Sequence, residues 1–147
     1  MKRVIATVEA PAAIGPYSQA VAVGDALFCS GQIPIQVTTG ELVDGDIATQ
    51  TTQALQNLGA LLRANGMSYE HVVKTTVFMV DLKDFAKMNE VYSLFFPDVH
   101  PARSTIQVSA LPKDAQVEIE AIAVGETALR SPKVFAAPVD LGPASPL

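Results

Sequence analysis

Charge is scarce in this chain. Ten basic and 15 acidic residues make up only 17% of its 147 positions, against about 25% in ordinary globular proteins. Apolar residues account for 49%. A monomer of this composition exposes extensive apolar surface, which favours an oligomer that buries some of it. Basic clusters are lacking too. The net charge is −5 and the longest basic run is Lys2-Arg3. Nucleic-acid binding needs a basic face, and so does electrostatic attachment to a membrane surface. There is one cysteine, Cys29, so neither an intrachain disulfide nor a cysteine-based metal framework can form. Its neighbours Leu27, Phe28 and Ser30 place it in a strand, as a buried and inert thiol. Histidine occurs only at His71 and His100, with no metal-ligand spacing, so no metal is expected. Uninterrupted apolar runs long enough to span a bilayer, or to serve as a signal peptide, are missing. A cytoplasmic protein is the expectation.

What the chain does carry is well-punctuated secondary structure in one domain. Residues 3–8, 17–23, 26–30, 72–80, 103–109 and 117–124 are rich in Val, Ile and Thr, or alternate in polarity, and read as strands. Gly24-Asp25 joins the second and third as a two-residue hairpin with glycine where a type II′ turn needs it. Asp46 caps a helix whose apolar residues Ile47, Thr51, Ala54, Leu55, Leu58, Leu61 and Leu62 recur at helical spacing up to Asn65-Gly66. A second helix presents Phe85, Met88, Val91, Tyr92, Phe95 and Phe96 on one face and stops at Pro97, with Asn89 near that face. Two helices on one side of about six strands make an α+β layer fold. The other side of the sheet is then left for solvent or for another subunit. In the last strand Val117, Ile119, Ala121 and Ala123 suit the helix-covered side, while Glu118 and Glu120 share the opposite one. Arg103, behind Pro101, is expected on that uncovered side with them. From residue 125 to 147 the chain turns rich in proline and reads as a C-terminal extension to a domain spanning 1–124.

Several motifs follow one another in order: Ala10-Pro11-Ala12-Ala13-Ile14-Gly15-Pro16-Tyr17-Ser18-Gln19-Ala20, Ser30-Gly31-Gln32-Ile33-Pro34, Val73-Lys74-Thr75-Thr76-Val77-Phe78, the Asp84-Phe85…Asn89…Tyr92 helix, Pro101-Ala102-Arg103-Ser104 and Val117-Glu118-Ile119-Glu120-Ala121. Together they resemble the RidA/YjgF family over about residues 3–124. The resemblance implies a chorismate-mutase-like α+β fold, a homotrimer of barrel form with clefts between subunits, and hydrolysis of reactive 2-imino (enamine) acids to 2-oxo acids and ammonia. It implies no cofactor. By motif position Arg103 is the residue that grips the substrate carboxylate, and Glu118 the one that holds the attacking water. Tyr17, Ser30, Gly31 and Asn89 match residues lining the cleft, and Thr105 takes a substrate-binding position beside Arg103 in the sequence. Family deaminases often carry cysteine where this chain has Thr105.

These assignments are chemically sensible. An arginine fork takes a carboxylate through two charge-assisted bonds, which presents the imine carbon at a fixed place. A carboxylate then aligns water on that carbon. Spacing alone does not separate Glu118 from Glu120. Two other functions fit the same residues less well. A non-catalytic small-molecule sensor, or a protein-binding trimer, has no need of the carboxylate. A ribonuclease needs a phosphate grip and an acid/base pair, which this acidic chain with two isolated histidines does not offer.

Overall fold

The computed structural model describes residues 1–125, and apart from Gly125 the proline-rich extension lies outside them. Six strands and two helices follow in the order β1 (Lys2–Ile5), β2 (Ala20–Val23), β3 (Ala26–Gln32), α1 (Ile47–Ala64), β4 (Val72–Met79), α2 (Phe85–Phe95), β5 (Ala102–Gln107) and β6 (Val117–Val124). The fold is the expected α+β one: a single sheet in the order β1-β2-β3-β6-β4-β5. All neighbours are antiparallel except β4 and β5. A parallel pair needs a crossover, and α2 supplies it.

Local chemistry accounts for the elements. Gly24 has φ +55° and Asp25 has no positive φ, so the β2–β3 turn has glycine alone in the region it tolerates best. Asp46 accepts a hydrogen bond from Thr49 N at 3.0 Å at the start of α1. Its last turn closes with Gly66 N donating to Arg63 O and Met67 N to Leu62 O, each at 2.9 Å, with Gly66 at φ +69°. This is the left-handed stop that Asn65-Gly66 announces. Leu55, Leu58, Leu61 and Leu62 of α1 are fully buried against Val77 and Met79 of β4, Val117 and Ile119 of β6, and Leu27 of β3. The alternation in β6 is as expected, with Val117, Ile119, Ala121 and Ala123 all buried and Glu120 exposed.

Three strands are shorter or shifted. β1 ends at Ile5 rather than residue 8, because Thr7 turns to Gln19, whose Oε1 accepts from Thr7 N at 2.8 Å. β2 begins at Ala20, not at residue 17, and β5 covers Ala102–Gln107 rather than 103–109.

Candidate functional site

Each proposed site residue can be placed by register. Arg103 and Thr105 of β5 pair with Thr75 and Val77 of β4, which pair in turn with Ala121 and Ile119 of β6. Paired residues share a face, so Arg103 and Thr105 lie on the helix-covered side. Glu118 and Glu120 pair with Phe78 and Thr76 and lie on the other side. The expectation that Arg103 shares the uncovered face with the glutamates is therefore wrong by one residue of β5 register. A shift of one is enough to move a side chain across the sheet.

The site residues fall into two groups. The first gathers at the β5 edge of the sheet. The Arg103 guanidinium lies over the rings of Tyr92, 4.7 Å from its centroid, and Phe85, 5.6 Å away. Asn89 stands between those two residues in the helical repeat, four after Phe85 and three before Tyr92. Both Asn89 Oδ1 and Thr105 Oγ1 are buried without a hydrogen-bond partner. Two buried polar atoms without partners, on the same strand and helix as Arg103 and its stacking rings, are candidates to meet a ligand, because each otherwise costs about 1–3 kcal/mol.

The second group lies on the uncovered face and around the N-terminal loop. Between Cys29 and Gln32 the β3–β6 register slips, three residues facing two. That is a bulge at Ser30-Gly31, a device that bends a strand and re-aims its side chains. Glu118 folds onto the bulge, so a Cβ built on Gly31 would stand 2.8 Å from Glu118 Cδ and 3.0 Å from Cγ. Ser30 Oγ donates to Ser18 O at 2.6 Å, tying the bulge to the segment that carries Tyr17. Tyr17 is exposed, and its hydroxyl accepts from Ile14 N at 3.2 Å. Tyr17 and Gly31 line one cavity of about 320 Å³ together with Ile33, Pro112 and Lys113. Burial, and then the neighbouring Glu120 carboxylate, raise Glu118 above the ordinary carboxylate range. A carboxylate so poised accepts a proton from water more readily than an ordinary one.

Three features of this second group escape sequence reading. Lys113 and Asp114 both adopt positive φ, 57° and 58°, a conformation that costs a non-glycine residue about 1–2 kcal/mol. Gln19 is buried, and its amide donates to Thr7 O, Ala10 O and Pro11 O at 3.1, 3.3 and 2.7 Å, folding the loop that leads to Tyr17. Asn57 of α1 is buried as well, donating to Ile33 O and Ile35 O at 3.1 and 3.0 Å and accepting from Gln53. The only sequence signal for either amide is a polar residue inside an apolar stretch.

Cys29 is buried as expected, and desolvation pushes its thiol up to about 12. His71 Nδ1 accepts from Ser68 N at 3.1 Å, and His100 Nδ1 lies 2.8 Å from Phe96 O. Among the described residues no cluster of three or more His, Cys, Asp or Glu could hold a metal ion. No helix among them is long and apolar enough to cross a membrane.

Comparison with known proteins shows what the chain is similar to. The profile of the family described as endoribonuclease L-PSP matches residues 7–125. A RutC family protein of Pyrococcus horikoshii is 56% identical over 126 residues, covering 86% of this chain and 100% of its own. The human 2-iminobutanoate/2-iminopropanoate deaminase is 48% identical over 124 residues, 84% of this chain and 90% of its own. Among solved structures, E. coli TdcF with bound serine superposes with a TM-score of 0.80 at 48% identity, over 83% of this chain and 98% of that one. With matches this extensive in sequence and in fold, the chain belongs to the endoribonuclease L-PSP family, the YjgF/RidA proteins.

Proposed function

We propose that the protein hydrolyses 2-imino acids to 2-oxo acids and ammonia, in clefts that form where two subunits of a homotrimer meet. The observation that carries this reading is the cluster at the β5 edge: a guanidinium held on aromatic rings, with two unpartnered polar atoms, Asn89 Oδ1 and Thr105 Oγ1, on the same two elements. It offers a planar fork for a carboxylate, a hydroxyl donor beside it, and an amide oxygen able to accept from an iminium N–H. The deaminase relatives act on acids of this kind by their names, and the TdcF structure, 48% identical, holds an amino acid.

In the reaction, Arg103 takes the substrate carboxylate in its fork and fixes C2. Glu118 holds the water. As the water oxygen bonds to C2, the C=N π pair moves to nitrogen and Glu118 accepts the proton. The carbinolamine so formed takes that proton back on nitrogen. The C–N bond then breaks with its pair going to ammonia, and the C2 hydroxyl gives its proton to that ammonia as the carbonyl forms, the substrate having entered as the iminium. The balance is one water in and one ammonium out.

Arg103 and Glu118 face opposite sides of the same sheet, so one chain does not readily present both to one small substrate. A second copy whose uncovered face meets the β5 edge of the first brings its own Glu118, Gly31 and Tyr17 to the first copy's Arg103. The low charge content and the exposed Phe28 and Ile106 on that face support such an assembly. The family name also raises ribonuclease activity. The net charge of −5 and the local engagement of both histidines support the small-acid reading instead.

The test generates 2-iminobutanoate in situ with an amino-acid dehydratase and follows 2-oxobutanoate. Wild-type protein should speed its appearance, while Arg103→Ala and Glu118→Gln should each abolish the gain. Mixing the two inactive variants then examines the shared site. With random assembly of a closed trimer, about a quarter of clefts pair an intact Arg103 with an intact Glu118. Activity should return to that level. Mixed trimers with no activity, verified by mass, would refute the intersubunit site, and full activity of Arg103→Ala would refute the clamp.

A further inference from the structure

Arg103 has a support that its role as a clamp does not by itself explain. A surface arginine carries about 2 kcal/mol of rotamer entropy and is usually steadied by a carboxylate. A carboxylate, however, would occupy the fork and neutralise its charge. Here, among the described residues, no acceptor takes a hydrogen bond from Arg103, and what it rests on is the two aromatic rings of α2. Stacking engages the flat face of a guanidinium and leaves the in-plane N–H donors unused.

The nearer ring is itself fixed. Tyr92 is 5% exposed, and its hydroxyl lies 2.7 Å from the hydroxyl of Thr75, which is wholly buried. The ring also packs on Phe96, with centroids 4.7 Å apart and planes tilted by 40°. Thr75 is the register partner of Arg103 on the adjacent strand, so hydroxyl, ring and guanidinium form one continuous stack from the core to the β5 edge. The polar pair is otherwise hard to account for. Thr75 sits on the helix-covered face with Val77, Met79 and Ala121, where valine would have nearly the same shape. Phenylalanine would likewise fill the space of Tyr92. A buried hydroxyl pair adds little stability over an apolar pair of the same shape, but it fixes geometry.

We propose that Tyr92 and Thr75 are positioning residues for Arg103, holding the guanidinium by its face so that its donors remain open to an anionic ligand. The inference rests on the reading of Arg103 as a carboxylate clamp. Tyr92 touches the clamp and not the reacting atoms, so its loss falls on binding rather than on the chemical step.

The experiment uses the full chain with Tyr92→Leu, Tyr92→Phe and Thr75→Val, the last two preserving shape so that folding is retained. Four quantities are read: KM and kcat for 2-iminobutanoate, the Kd of 2-oxobutanoate by calorimetry, and the NMR resonance of Arg103 Nε–H, which the ring shifts. Tyr92→Leu should raise KM and Kd about 5- to 30-fold, the range of a desolvated cation–π contact, with kcat changed far less. Tyr92→Phe and Thr75→Val should raise both about 2- to 5-fold, as for one neutral hydrogen bond. In an Arg103→Lys background the same substitutions should add little, because an ammonium does not stack by a planar face. The Nε–H resonance should move in Tyr92→Leu and broaden in Thr75→Val. An unmoved resonance, or an unchanged KM alongside a lowered melting temperature, would reduce Tyr92 and Thr75 to core residues and overturn the inference. If the resonance responds as expected but the wild type neither binds 2-oxobutanoate nor hydrolyses the imine, the positioning stands and the carboxylate reading falls.

Discussion

Replacing Gly31 by alanine should cripple the enzyme while barely disturbing its fold. Gly31 does not have a positive φ, so an L-residue meets no backbone strain there. The difficulty is space. The new methyl would stand 2.8 Å from Glu118 Cδ and closer still to Oε1, where ordinary contact begins at 3.4 Å. The β6 backbone lies between β3 and β4 and has little freedom to yield, so the glutamate side chain must swing away. Its Cδ retreats by about 0.6 Å and the carboxylate oxygen by more, and a misplacement near 1 Å costs about 10²-fold in rate. We expect kcat for 2-iminobutanoate hydrolysis to fall roughly 30- to 100-fold, with KM little changed because the Arg103 fork that grips the carboxylate is left intact. Loss of a flexible glycine from the unfolded chain offsets part of the crowding, leaving stability within about 1 kcal/mol by denaturant titration. Gly31→Ala with Glu118→Gln should be no slower than Glu118→Gln alone, since both remove the same function. Gly31→Ala with kcat within a factor of two of wild type would refute the reasoning.

Glu118 should also set a pH dependence. Because the fold raises its pKa, chiefly by burial and then by Glu120, the acid limb of kcat/KM should lie above the ordinary glutamate value of about 4.3. Glu120→Gln should move that limb to lower pH, as a pH–rate profile will show. In stability the sign is reversed from that of a salt-bridged carboxylate. A raised pKa favours folding below the unfolded value, and this contribution is lost as pH rises through the folded one. Glu118→Gln should therefore melt higher than wild type at neutral pH and match it near pH 3, by calorimetry at both. Asn57→Ala should leave the Ile33 and Ile35 carbonyls unpaired and cost about 2–4 kcal/mol in denaturant melts. Gln19→Leu should cost a similar amount and in addition expose the N-terminal loop to limited proteolysis. If either variant is as stable as wild type, these amides do not anchor the loops.

Much of this architecture is legible in the sequence, for reasons that differ by element. α1 is announced by its cap, its period and its stop, all local signals. The burial alternation of β6 is equally plain, because a strand half covered by helices must alternate. The face of Arg103 was not legible. β5 is an edge strand with no fully buried residue, so no apolar stripe fixes its phase, and the register that decides it is set by β4 through α2. Gly31 is expected, from the resemblance, among the residues that bind substrate. In the structure its missing Cβ leaves room for Glu118, a contact between residues 87 apart in sequence that spacing cannot reveal. Gln19 and Asn57 are hidden for the same reason, since their partners are backbone carbonyls of loops whose path only the fold determines.

The place of β6 has a consequence for how the chain reaches its native state. Among the described residues, the last strand made is the one that lies between β3 and β4, so until residues 117–124 are available the two halves of the sheet share no ladder. Each then presents an open strand edge, the kind of surface that recruits other chains. The helices can form early from local sequence, but the sheet waits for a pairing between residues as distant as Ala26 and Val124. Such long-range closure slows folding. The strand that carries Glu118 is thus also the keystone, and nascent or truncated chains lacking it would be prone to aggregate through β3 and β4.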